Sequence, residues 1–162
     1  MAQETDGSTV RGTDTGTTTG SWRGGVVAGV VAGAVMGLFV SAMNPPTLRV
    51  AIPALYGFAG NGVAGWTAHL SHGAVFGVVF VAALEATPLS RYADRTGPAA
   101  ALGVGYGVVL WVIAAGLVMP LWLGALGAPV RLPLPNLALP SLLWHAVYGV
   151  VLGAASPSLR EL

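Results

Sequence analysis

Residues 24–39 read GGVVAGVVAGAVMGLF, an uncharged stretch with glycine at positions 25, 29, 33 and 37. Residues four apart share one face of a helix, so these glycines form a single stripe among apolar side chains. In lipid, apolar side chains gain nothing by meeting one another. Helices associate where small residues let their backbones approach. The stretch therefore reads as a membrane-crossing helix with one face shaped for a neighbour.

Crossing the hydrocarbon core takes about 20 apolar residues. Four stretches satisfy this, at 24–43, 62–84, 98–119 and, marginally, 139–155. The expected fold class is all-α, a polytopic bundle of four transmembrane helices. Composition agrees, since 54% of the chain is hydrophobic and only 8% charged, against about 25% charged in soluble domains. Between the first two spans, NPPTLRVAIPALYGFAGN (44–61) holds three prolines and an arginine and is too short to cross. It and 120–140 are expected to be re-entrant or interfacial.

The domain division follows: a flexible polar tail at 1–22, a transmembrane domain at 23–156 with halves 24–84 and 98–156, and a short tail at 157–162. The N-terminal MAQETDGSTVRGTDTGTTTGSW is too polar for a signal peptide. The basic residues are all arginine, at 11, 23, 49, 91, 95, 131 and 160, and the net charge is +1. That leaves no basic surface for nucleic acid. Arg11, Arg23, Arg91, Arg95 and Arg160 fall on one side of the membrane and Arg49 and Arg131 on the other. Cytoplasmic loops are enriched in arginine and lysine, so a multi-pass protein of the cell membrane with both termini cytoplasmic is expected. Cysteine is absent, which removes disulfides, thiolate metal sites and cysteine nucleophiles.

The chain carries signs of duplication. AVFGVV (74–79) pairs with AVYGVV (146–151), IPALYGFAG (52–60) with MPLWLGALG (119–127), and Gly29 and Gly33 with Gly103 and Gly107. The order span, Pro/Gly segment, span thus occurs twice. Each unit crosses an even number of times, so the halves share orientation as a parallel tandem repeat. Further stripes at Gly73 and Gly77, and at Gly149 and Gly153, are expected to hold the bundle together. The first stripe could instead face a second copy or another membrane protein, the partners envisaged besides lipid.

Three histidines lie within the spans. His69 shares a stripe with Gly73 and Gly77, and His145 shares one with Gly149 and Gly153, so both are expected to point at neighbouring helices. The direction of His72 is less defined, near the face of Thr67 and Ser71. The expected topology puts all three in the non-cytoplasmic half, where they could converge. Three readings stay open: hydrogen bonding between helices, passage of protons or ions, and a metal or haem site. No embedded carboxylate stands by to orient the imidazoles, and no cofactor is assigned. Asp94 falls on the opposite side from the histidines, which disfavours a catalytic triad. The glycine runs lack the lysine of a phosphate loop. An enzyme is not expected.

The stretches HLSHGAVFGVVF, YGVVLWVIAAGLVMPLWLGALG and SLLWHAVYGVVLGAA resemble uncharacterised four-span integral membrane proteins of halophilic archaea, over residues 24–155. Some of those proteins carry a histidine kinase label. This chain does not support it, having neither a soluble phosphoacceptor helix pair nor an ATP-binding domain. Its expected function is a small transport or permeation module. The alternatives are an accessory subunit that packs on a partner through its glycine faces, and a metal, haem or proton site built on the histidines.

Overall fold

The computed structural model describes residues 21–162, so the polar tail expected at 1–22 lies almost wholly outside the described residues. The fold is all-helical, and four helices are long and apolar enough to cross a membrane. α1 runs Ser21–Met43. It stops at Asn44 because Pro45 and Pro46 bring no N–H to continue the ladder. α2 is a short helix over 45–54 that includes a π-helical turn, Thr47–Ala51. α3 spans Gly62–Glu85 and is capped by Asn61, whose side chain accepts the Ala64 N–H at 3.0 Å. α4 spans Thr96–Ala125, and α5 spans Leu139–Ala155 with Pro140 in its first turn, where a missing N–H costs nothing. At about 1.5 Å per residue, the 23 residues of α1 make a rod of about 35 Å, enough to cross the hydrocarbon.

The expected end of the third span at Met119 is corrected. Helix α4 continues through Pro120 to Ala125, so 120–125 belongs to the long helix, and only 126–138 is irregular. The continuation is possible because residues Trp111–Val118 are wound as a π-helix just before the proline. Pro120 has no N–H for the carbonyl of Gly116. The backbone N–H of Asn136 takes its place at 2.9 Å, which straps 126–138 against α4. Pro53 leaves the carbonyl of Arg49 open in the same way, and Gly60 N–H fills it at 3.0 Å. Both helices then end in a Schellman turn. Gly57 (φ 80°) and Gly127 (φ 60°) occupy the left-handed position that glycine adopts without steric cost. Phe58 N–H bonds Pro53 O, and Ala128 N–H bonds Leu123 O. The sequence pairing of Gly57 with Gly124 therefore shifts: the residue with the role of Gly57 is Gly127.

The helices pack as two antiparallel pairs. α1 lies on α3 where Gly25 and Gly29 meet Gly77, Gly29 and Gly33 meet Gly73, and Gly37 meets Trp66. α4 lies on α5 where Gly103 meets Gly149 and Gly153, and Gly107 meets the backbone of His145. At Gly29, Gly73, Gly77, Gly103, Gly107, Gly149 and Gly153 an added Cβ would strike the opposing backbone, and at Gly37 it would strike the Trp66 ring, whereas Gly33 has room for one. The stripe in the first span is therefore occupied within the chain, by α3. Gly65 and Gly24, which lie outside those stripes, are used alike, against the Leu48 carbonyl of α2 and the Leu159 carbonyl. Helix α5 also packs along α1, whereas α3 and α4 scarcely touch along their backbones.

One end of the bundle gathers the start of α1, the 86–95 connection, the start of α4 and the C-terminus. There Arg160 pairs with Asp94 and with Glu85 (3.7 Å). The last residues are not a loose tail: Ser156–Leu159 form a 3-10 turn packed on α1. A core of Ala28, Ala32, Phe80, Leu84, Tyr148 and Leu152 fills this half. The other end holds α2 and the 126–138 strap.

Candidate functional site

Above that core, toward α2 and the strap, lies a cavity of about 500 Å³ to which all four long helices, α2 and the strap contribute. His69, His72 and His145 all line it. Residues Tyr148, Leu110 and Phe76 border it on the side of the core, so it is closed toward the end that carries the C-terminus.

Each imidazole is held by a different partner. His69 is buried on the glycine face of α3, and its Nε2–H donates to the Gly33 carbonyl of α1 at 3.0 Å. Because a carbonyl only accepts, this bond assigns the proton to Nε2 and leaves Nδ1 an acceptor. Trp66 meets the ring edge-on at 6.1 Å. His145 donates from Nδ1 to Ser141 O, one turn back on its own helix, at 2.6 Å, leaving Nε2 as its acceptor. His72 has Nε2 2.6 Å from the Tyr56 hydroxyl, which arrives from just beyond α2. Thus His69 joins two helices, as its stripe predicts. His145 does not; its backbone meets α4, while its side chain bonds within α5 and faces the cavity.

Thr67 and Ser71, expected near His72, sit on the exposed side of α3, and the Ser71 hydroxyl is taken up by Thr67 O at 2.8 Å. Neither lines the cavity. The polar groups that do so come instead from Asn44, Thr47, Tyr56, Asn136, Ser141 and Tyr148. Most lie outside the motifs that drew attention in the sequence. Tyr148 donates to Gly73 O at 2.8 Å and Tyr106 to Phe76 O at 2.9 Å, so the second half grips α3 by two phenols. The signal for these was present in YGVV: a tyrosine within an apolar helix needs a partner for its hydroxyl. Trp111 donates to Ser141 Oγ at 2.9 Å, and Ser141 passes its own hydrogen to Ala138 O at 2.7 Å.

Among the described residues, no buried side-chain nitrogen or oxygen lacks a hydrogen-bond partner. Nδ1 of His69 and Nε2 of His145 make no bond to protein, so they are not sealed within it and open on the cavity their rings line. The lining contains no Asp, Glu, Lys or Arg. No group of three His, Asp or Glu side chains among the described residues is disposed to hold a metal ion, and each imidazole is engaged by its own separate partner. A metal ion held jointly by the three histidines finds no geometric support.

No known family, curated protein or solved structure matches this chain.

Proposed function

We propose that the chain is a small transport or permeation module of the cell membrane, built as a parallel tandem repeat of two-helix halves, with both termini cytoplasmic. The cavity carries this reading. It lies between the halves, takes in all three histidines, and is closed toward the end that would face the cytoplasm. Binding in one half of the bilayer beneath a packed layer is what a transporter or gated pore presents in one of its resting states. The repeat draws support from two prolines that each free a carbonyl for a returning N–H, and from two Schellman glycines. The topology draws support from Arg23, Arg91, Arg95 and Arg160 at one end against Arg49 and Arg131 at the other. An accessory subunit docking through the glycine stripes gains nothing from this arrangement, since those stripes face other helices of the same chain.

The natural chain has no cysteine, so single cysteines report cleanly. Thr47→Cys, Ala114→Cys and Asn136→Cys, on the cavity wall, should react with a membrane-impermeant thiol reagent added from outside. Val75→Cys, on the exposed face of α3, should not. Inert cysteines at all three wall positions would show a dry bundle and sink the permeation reading.

A further inference from the structure

Resting on the reading of the cavity as a solute site, we infer that its occupant is a neutral, lipid-soluble molecule with an apolar body and a hydroxyl or phenol head, received by Nδ1 of His69 and Nε2 of His145 from between α3 and α4. The lining decides the charge. With no Asp, Glu, Lys or Arg on the wall, a bare ion would lose its hydration without a fixed countercharge, a heavy cost within the bilayer. The histidines decide the head group. Both have their N–H committed to backbone carbonyls, at 3.0 and 2.6 Å, so each offers the cavity an acceptor, and a ligand without a donor would leave both unpaired. The rest of the wall, including Met36, Val40, Ile52, Leu110 and Met119, suits an apolar body. A volume of about 500 Å³ is in the range of small-molecule sites.

The entry follows from the uneven packing. α3 and α4 are tied at one level by Tyr106, whose hydroxyl reaches Phe76 O and whose ring lies 5.3 Å from that of Phe80. At the other level Trp122 Nε1 donates to Leu55 O, beyond α2, at 3.1 Å. Between these ties the two helices scarcely touch, and the cavity residues Tyr56 and Val118 are both 54% exposed. A molecule dissolved in the bilayer meets the cavity there without passing through water. The Tyr56–His72 pair stands at that opening, where the phenol and the imidazole can re-pair around an incoming hydroxyl.

The probe pair is 1-naphthol and 1-methoxynaphthalene, alike in body but differing in the donor, titrated against tryptophan fluorescence of the full chain in phosphatidylcholine nanodiscs. Saturable binding of 1-naphthol, about tenfold or more tighter than the ether, is expected. His145→Phe should abolish the preference and His145→Gln should restore part of it. A His145→Phe chain that unfolds would be recognised by circular dichroism, and Val75→Ala, on the exposed face of α3 away from the cavity, should keep the preference. Equal binding of both probes, or none, while the wall cysteines still react with aqueous reagent, would overturn this inference and leave the permeation reading standing. Inert cysteines together with saturable, donor-selective binding would overturn the permeation reading alone.

Discussion

At Gly29 the α1 backbone lies so close to the carbonyl of Gly73 that there is no room for a methyl group, and the same holds for Gly149 against Gly103 O. Neither obstacle is a flexible side chain, so relief requires the helices to separate. Gly29→Ala and Gly149→Ala should each cost about 1–3 kcal/mol, the range for overpacking a tight contact. Gly105, with nothing within 4 Å of the Cβ position, should accept alanine with no loss, and gain up to about 1 kcal/mol from helix propensity. Unfolding by sodium dodecyl sulfate titration, followed by circular dichroism, separates the three. If Gly105→Ala were as damaging as Gly29→Ala, backbone proximity would not be the cause. His69→Phe preserves a ring on the same face but gives up the N–H to Gly33 O. A loss of about 0.5–1.5 kcal/mol is expected in the same titration, as for other polar bonds between membrane helices.

The element most at odds with the sequence is α4. A proline after a long apolar run reads as a helix end, because its ring excludes a carbonyl from the ladder. What periodicity does not reveal is that the excluded carbonyl can be satisfied from far along the chain, here by Asn136, while a π-helical stretch absorbs the ring. The glycine stripes were legible because a four-residue spacing needs only local geometry to define a face. The pairing of His72 with Tyr56 was not, since it depends on how α2 folds back against α3. Thr67 and Ser71 misled for a related reason. A serine in a lipid-facing helix needs no partner helix when the carbonyl four residues back accepts its hydroxyl. The proline arrangement has a testable consequence. In Pro120→Ala the restored N–H competes for Gly116 O, so the Asn136 amide should exchange with deuterium faster, and Pro53→Ala should do the same to Gly60. Unchanged exchange at both amides would mean that the straps are held by other contacts.

At the scale of the molecule, two asymmetries meet. The α1–α5 contact is close while the α3–α4 contact is open, so the two helix pairs enclose a cavity rather than closing on one another. Charge is uneven as well: Arg160 draws the C-terminus onto Asp94 and Glu85, fixing the last turn beside the 86–95 connection, where Arg91 and Arg95 lie. The sequence already separated the six described arginines between the two ends of the bundle, because four antiparallel spans leave no freedom once they are placed. It did not disclose the pinning of Arg160, which joins segments 66 residues apart. Four described arginines at the end holding the C-terminus, against two at the other, predict that this end is cytoplasmic. A reporter that is active only outside the membrane should therefore be silent when fused after Leu162 and active when inserted at Arg131. The bias is carried by few residues near the helix ends, so it should be reversible. Changing Arg91 and Arg95 to glutamine while adding arginines beside Arg131 should produce a mixed or inverted population. Arg160→Gln belongs in a separate chain, since it also breaks the ion pairs and would confuse orientation with folding. A reporter active after Leu162 in the natural chain would place the cavity toward the cytoplasm, and the solute it receives would then come from the inner leaflet.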